Sequence, residues 1–197
     1  MASSGCSPVG LAEARRRPPI VPNAVLGILL FVIAEGMLFA GLIAAFTIVK
    51  SGALGTWPPI GQPRLPVEAT AFNSAVLLIS GIVLFQTRRV FRVSPERAAM
   101  PLMIALLLGA FFVVFQGYEW VEMLRQGLTV ASSVHGGFFY LIVGVHALHA
   151  IGALVLLVRA WLAIQGGAPE PDLFAAAQVF WYFVIGVWPV IYFTVYL

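Results

Sequence analysis

Two histidines lie three residues apart in an otherwise apolar run. The run is VGVHALHAIGALVLLV, residues 143–158, and its histidines are His146 and His149. Their spacing places both side chains on one face of a helix. They could hold a metal or a haem, take part in a proton or hydrogen-bond network, or serve only as packing residues.

Two carboxylates also interrupt apolar runs. Glu35 lies in LLFVIAEGMLFAGL, and Glu119 lies in FQGYEW. A charged residue at the centre of a membrane helix costs about 2.5–3.5 kcal/mol, so such residues generally face protein or water and often mark function. For Glu35, a structural buried carboxyl and a proton-linked one are equally open interpretations.

The elements that position these residues follow from composition. The chain has 197 residues, of which 61% are hydrophobic and 10% are charged, which excludes a soluble globular domain. At roughly 20 residues per helical crossing, it has room for about five membrane spans. The sequence therefore predicts an all-α integral membrane bundle, residues 22–197, after a loosely ordered cytoplasmic tail, residues 1–21. The predicted helices cover residues 22–50, 68–88, 99–124, 133–160 and 172–197.

The basic residues predict the orientation of the bundle. Five spans place the two termini on opposite sides, and the side of the N-terminus holds eight of the eleven Lys and Arg residues. These eight are Arg15, Arg16, Arg17, Arg88, Arg89, Arg92, Arg97 and Arg159. Because basic residues accumulate on the cytoplasmic side, we expect a cytoplasmic N-terminus and a periplasmic C-terminus. The net charge of +3 then reflects topology and attraction to anionic lipid, and gives no reason to expect nucleic-acid binding.

Four of these arginines predict a lipid contact. Arg88, Arg89 and Arg92 follow helix 2, and Arg159 ends the apolar part of helix 4 on the same side. Together they offer a basic rim for phospholipid head groups. The alternative is that they only determine topology.

Cysteine and histidine counts limit the possible redox chemistry. Cys6 is the single cysteine, which excludes an internal disulfide, a CxxC pair and a CxxCH haem attachment. The three histidines, His135, His146 and His149, are too few to ligate two haems and a copper. For His146 and His149 we favour hydrogen bonding between helices over proton handling, and both over metal binding, because paired Glu-x-x-His motifs are absent. We expect no catalytic residue, metal or cofactor in this chain.

Depth in the membrane predicts which polar residues meet. Counted from the cytoplasmic side, Glu35 lies roughly 16 Å deep, His149 roughly 15 Å and His146 roughly 20 Å. We therefore expect Glu35 to meet His149 or His146, directly or through one water, and to hold helices 1 and 4 together without a metal, as a neutral pair or an ion pair. Glu119 is near the outer end of helix 3, so we expect His135 to be its partner.

Helix 1 also carries small residues at a spacing that suits helix packing. Ala40 and Ala44 lie four residues apart, as do Gly41 and Ala45. Small residues let another helix approach closely inside a bilayer. We expect this face to lie against protein, either another helix of this chain or a partner.

Five segments, taken in order, resemble subunit III of the haem–copper terminal oxidases. The segments are FVIAEGMLFAGL, WPPIGQPRLPVEATAFNSAVLLISG, LLLGAFFVVFQGYEW, HGGFFYLIVGVHALHAIG and FWYFVIGVW. The resemblance covers about residues 24–197 and is closest to a short, five-helix bacterial form. In it, Glu35 matches the intramembrane glutamate of the family, Glu119 the Q-x-x-E carboxylate, and His146 and His149 the H-x-x-H pair.

The resemblance implies an accessory role in aerobic respiration. It implies an inner-membrane subunit that packs against subunit I, meets subunit II and other respiratory chains, binds phospholipid and supports proton uptake, while haem and copper belong to partner subunits. Two residues depart from the closing YWHFVD run of the family: Tyr182 replaces its histidine and Ile185 its aspartate. Alternatives are an accessory protein of a quinol oxidase or nitric oxide reductase, or a stand-alone proton or solute transporter.

Overall fold

The computed structural model describes residues 23–53, 57, 59 and 62–197, and within them all regular structure is helical. The five long helices are α1 (Asn23–Ser51), α2 (Val67–Val93), α3 (Ala99–Arg125), α4 (Val134–Gln165) and α5 (Pro171–Ile191). Each is long and apolar enough to cross a membrane. The prediction of an all-α fold with five membrane-length helices is confirmed, whereas the predicted tail, residues 1–21, lies outside the described residues.

Two helices extend beyond their predicted ends. α2 continues to Val93 and α4 to Gln165, five residues past the predicted ends at 88 and 160. The prediction followed hydropathy, which falls at the arginines, but arginine is a good helix former and the backbone does not end there. α2 instead ends before Pro95, which begins a short 3₁₀ turn over Pro95–Ala98.

The last predicted helix is divided. α5 ends at Ile191, and the chain continues as a wider π turn over Tyr192–Tyr196. Pro189 lies just before this change. Proline has no backbone N–H to donate to the preceding turn, which explains a local change in helix geometry at this point.

α3 and α4 are both followed by a glycine in the left-handed conformation. Gly127 and Gly167 have φ angles of 93° and 73°, in the left-handed region that glycine adopts at no steric cost. After α3, Leu128 N donates to Met123 O (3.0 Å) and Gly127 N to Leu124 O (3.1 Å). This pair of bonds is a Schellman cap, and α4 ends with the equivalent pair.

α5 is the most buried of the five long helices; it packs mainly on α4 and α1, less on α2, and reaches α3 through its side chains. Glycines on its neighbours admit its large side chains: a Cβ atom at Gly109 would lie 2.6 Å from Trp181, and one at Gly81 would lie 2.6 Å from Ile185. The Trp181 indole donates to Ser80 Oγ at 3.0 Å. Close packing and hydrogen bonds between helices are what hold a bundle together in lipid.

α1 lies at the edge of the bundle. It packs mainly on α5 and more lightly on α4, and Phe39 and Phe46 are its only two buried residues. Most of the apolar surface of α1 is consequently left uncovered by the residues that the structure describes.

Candidate functional site

Glu35 and His149 meet between α1 and α4. Glu35 Oε2 lies 3.0 Å from His149 Nε2. The predicted contact between Glu35 and one of the two histidines is therefore present. The side chains are 21% and 11% exposed respectively, so the pair lies at the margin of the bundle and not at its centre.

The other ring nitrogen of His149 defines the proton arrangement. His149 Nδ1 lies 2.7 Å from the backbone oxygen of Val145. A carbonyl oxygen can only accept a hydrogen bond, so Nδ1 carries a proton. A proton on Nε2 would make the contact with Glu35 Oε2 an ion pair, and a proton on the carboxyl would make it a neutral pair. The close contact lacks the alignment of a regular hydrogen bond.

Phenylalanines surround the imidazole of His149. The ring of Phe39 lies 5.3 Å from it between centroids, and those of Phe31, Phe180 and Phe183 lie 6.0 Å away. These side chains come from α1 and α5. They keep water from much of the pair, which strengthens the interaction between Glu35 and His149 in either protonation state.

His146 points into the bundle and away from the Glu35 contact. It is 2% exposed, and its ring lies 5.0 Å from that of Trp188 and 6.4 Å from that of Phe112. Neither ring nitrogen has a hydrogen-bond partner among the described residues. The two histidines thus share a helix but have different surroundings.

The predicted partnership of Glu119 and His135 is wrong. His135 is 2% exposed, and neither of its ring nitrogens has a hydrogen-bond partner in the described part of the chain. Its ring instead packs at right angles on Trp57 (5.2 Å) and near Phe46 (6.4 Å). The prediction matched residues by depth, but depth does not define the direction in which a residue projects from its helix. His135 projects towards α1 and the segment that follows it.

A polar network that was not predicted from the sequence joins α2, α3 and the π turn over Tyr192–Tyr196. Asn73 Nδ2 donates to Phe112 O (3.0 Å) and lies 3.3 Å from Gln116 Oε1, and Gln116 Nε2 donates to Tyr196 Oη (3.0 Å). Asn73 and Gln116 are buried. The available signal was the spacing of polar residues along α2, since Thr70, Asn73, Ser80 and Thr87 recur on one face of this helix and are all fully buried.

The structure brings two of the four predicted lipid-binding arginines to a single cavity. Arg88 and Arg92 line a cavity of about 370 Å³ together with Phe91 and Phe174. Arg89 lies 5.0 Å above the ring of Phe85 instead. Arg159 is exposed on α4 and does not line this cavity.

The two departures from the family pattern have different surroundings. Ile185 fills the space above Gly81, so an apolar side chain fits there. The Tyr182 hydroxyl is buried and has no hydrogen-bond partner among the residues that the structure describes.

The described residues contain no group of three or more His, Cys, Asp or Glu side chains that could hold a metal ion. His149 is already in contact through both ring nitrogens. His135 and His146 line separate cavities. The donor groups of the residues that the structure describes therefore do not fit the haem and copper of an oxidase.

Comparison with known proteins identifies the family. The model of the family described as cytochrome c oxidase subunit III matches residues 16–197. A probable cytochrome c oxidase subunit 3 of Nocardia farcinica is 33% identical over 186 residues, which cover 89% of this chain and 88% of that protein. Cytochrome c oxidase subunit 3 of Synechocystis is 32% identical over 178 residues (88% and 75%). That of Xenopus laevis is 32% identical over 195 residues (95% and 74%). The chain belongs to the cytochrome c oxidase subunit III family.

Proposed function

We propose that this chain is the non-catalytic subunit III of an aerobic respiratory haem–copper oxidase, a complex that transfers electrons to O₂ and pumps protons. The observation that carries the proposal is the family match over residues 16–197. The names of the relatives favour a cytochrome c oxidase over a quinol oxidase or a nitric oxide reductase. Haem and copper belong, in this proposal, to partner subunits.

The proposal places the chain in the bacterial inner membrane with its N-terminus in the cytoplasm. The support is the eight-to-three distribution of basic residues between the two sides of the bundle. Arg15, Arg16 and Arg17, which contribute to it, lie outside the described residues.

Subunit I is the proposed direct partner, and α1 is the proposed contact. Ala40, Gly41, Ala44 and Ala45 are all exposed, and a Cβ atom at Gly41 would meet nothing within 4 Å. No other helix among the described residues therefore packs on the small-residue face. In the oxidase this face would receive a helix of subunit I, with subunit II and other respiratory chains more distant. A complex in which Gly41 and Ala44 face only lipid would contradict this contact.

The Glu35–His149 pair has two proposed roles. As a structural contact, it holds α1 against α4 across the 3.0 Å between Oε2 and Nε2. As a proton-linked site, it buffers proton delivery near subunit I. The second role is supported by the 3.0 Å approach of an imidazole nitrogen to a carboxyl oxygen and by the partial exposure of both side chains. Glu119, His135 and His146 complete the proposed set of polar residues.

Phospholipid is the proposed bound ligand at the arginines. Arg88 and Arg92 supply positive charge to a cavity whose other walls include the rings of Phe91 and Phe174. Charge next to an apolar wall suits a head group and the start of its acyl chain. Arg89 and Arg159 would contribute to attraction over the surrounding surface.

Removal of this chain from the purified oxidase tests the accessory role. We expect the remaining subunits to reduce O₂ from the first turnover, because the haems and copper stay in place. Activity should then decline over many turnovers, because proton uptake loses its support. The O₂ consumption of the complex with and without the chain, followed from the first turnovers, separates these effects. Core subunits that fail to reduce O₂ from the start would contradict a non-catalytic role.

Glu35→Ala in the intact oxidase tests the proton-linked role. We expect a shorter turnover lifetime and an altered pH dependence of turnover. Glu96→Ala is the matched control, because Glu96 is an exposed carboxylate outside the proposed set of polar residues. Unchanged lifetime and unchanged pH dependence in Glu35→Ala would remove the proton role and leave the structural contact intact.

A further inference from the structure

An apolar cavity of about 200 Å³ lies between α3, α4 and α5. It is separate from the Glu35–His149 pair and from the arginine-lined cavity. Its walls are mostly carbon, and His146, Gln116 and Trp120 are its polar members. The lining residues are Phe112, Val113, Gln116, Gly117, Trp120, Val143, His146, Ala147, Ala150, Ile151 and Trp188.

His146 supplies this cavity with an unused hydrogen-bonding group. The residue is 2% exposed, lines the cavity, and has no partner for Nδ1 or Nε2 within the described residues. A neutral imidazole has one donor and one acceptor nitrogen. Burial of both without partners costs free energy, so a group that bonds either one stabilises the bundle.

The outer wall of the cavity lies at the surface that faces lipid. Gly117 and Ala147 are partly exposed, and Ile151 is exposed. A Cβ atom at Gly117 would meet nothing within 4 Å, so this position leaves a gap between α3 and α4. A molecule dissolved in the bilayer can reach the cavity through this gap without passing through water.

The size of the cavity limits its occupant. A cavity of about 150 Å³ with apolar walls accepts benzene. This one is somewhat larger, so it has room for a six-membered ring with one small substituent and not for a whole phospholipid. A lone acyl chain would leave His146 without a partner. Water would need two to four polar partners, and most of these walls offer none.

We propose that the cavity binds a small molecule from the bilayer that has one six-membered ring and one hydroxyl or carbonyl oxygen. The oxygen bonds a ring nitrogen of His146, and the ring packs against the walls that Phe112 and Trp188 form. This site is independent of the proposed role in an oxidase, because it depends only on the helices of this chain.

A pair of brominated probes tests the site. The full-length chain is placed in phosphatidylcholine nanodiscs and titrated with 4-bromophenol or with bromobenzene, which has no hydroxyl. Bromine quenches the fluorescence of nearby tryptophans, and Trp120 and Trp188 line the cavity. We expect saturable quenching by both probes, with 4-bromophenol binding about fivefold more tightly because of its hydrogen bond.

Two variants and one control distinguish binding in the cavity from partitioning of the probes into the surrounding lipid. Gly117→Leu places a side chain across the gap and should abolish saturable quenching by either probe. His146→Leu should leave bromobenzene binding in place and remove the preference for 4-bromophenol. Gly186→Leu is the control, because Gly186 is also exposed with open space at its Cβ position but does not line the cavity. It should behave as the unmodified chain.

Two results would overturn the proposal. Quenching that stays linear in probe concentration, and is the same in Gly117→Leu and Gly186→Leu, would mean that the probes only partition into lipid and that the cavity takes water or nothing. Equal affinity of the unmodified chain for the two probes would mean that His146 does not recognise the oxygen. Both results can be read without His146→Leu, so they hold even if that variant does not fold.

Discussion

The contact between Glu35 and His149 should appear as a specific energetic coupling between α1 and α4. The two atoms lie 3.0 Å apart, but the contact is imperfectly aligned and both side chains are partly exposed. Side-chain hydrogen bonds between membrane helices average about 0.6 kcal/mol and reach about 1.7 kcal/mol. The geometry favours the lower half of this range, so we expect a coupling of about 0.5–1 kcal/mol.

A double-mutant cycle measures this coupling. Glu35→Ala, His149→Ala and the double variant of the full-length chain are unfolded reversibly by increasing the proportion of a denaturing detergent in mixed micelles. Tryptophan fluorescence reports the free energy of unfolding. The coupling is the amount by which the effect of the double variant differs from the sum of the single effects.

His146 provides the control cycle. It lies one turn from His149 on the same helix, but its ring faces Trp188 and Phe112 and it makes no contact with Glu35. The Glu35 and His146 substitutions should therefore couple by less than half as much. A Glu35–His149 coupling within the error of about 0.3 kcal/mol, or one no larger than that for His146, would refute the structural role of the pair.

Three further predictions concern packing, the buried network and lipid. Gly109→Leu should lower the free energy of unfolding by about 1–3 kcal/mol, because its Cβ atom would lie 2.6 Å from Trp181; an unchanged unfolding midpoint would contradict the close packing of the Trp181 side chain on Gly109. Asn73→Leu should cost about 1–2 kcal/mol in the same assay, because it removes the bonds to the Phe112 carbonyl and to Gln116, and a neutral effect would mean that the network does not stabilise the bundle. Replacing both Arg88 and Arg92 by Gln should reduce the phospholipid retained in native mass spectrometry, whereas Arg97→Gln, outside that cavity and outside the four proposed lipid-binding arginines, should not; equal retention in both variants would leave only a topological role for Arg88 and Arg92.

Much of the fold could be predicted because the membrane restricts it. Apolar runs of roughly 20 residues can only be spanning helices, and their number followed directly from composition. The predicted ends of the helices were less accurate. α2 runs on through Arg88, Arg89 and Arg92 to Val93, because hydropathy reports where lipid ends and not where backbone hydrogen bonding ends.

The candidate site was predicted only in part, because helix geometry gives the depth of a residue in the membrane but not the direction of its side chain. The rise per residue of a helix gives the depths of Glu35 and His149 in the membrane. Because these depths are similar, they were sufficient to predict the contact between the two side chains. The same reasoning failed for Glu119 and His135, because depth does not say which way a side chain projects. Likewise, the i, i+3 spacing placed His146 beside His149 but gave no sign that it would face α3 and α5.

The network around Asn73 and Gln116 depends on pairing across helices. Nothing in the local sequence of α2 indicates which carbonyl on α3 will receive the amide of Asn73. The buried polar residues of α2 were visible as a pattern, but their partners depend on how the helices rotate against each other.

Affinity purification through a tag on this chain tests its proposed place in an oxidase most directly. The chain is extracted from its native membrane in mild detergent, and the difference between reduced and oxidised absorption spectra of the eluate is recorded. We expect haem absorbance in constant proportion to the chain across the elution peak, carried by co-purifying partner subunits. A colourless, monodisperse sample that contains this chain alone would contradict it and would favour a stand-alone membrane protein.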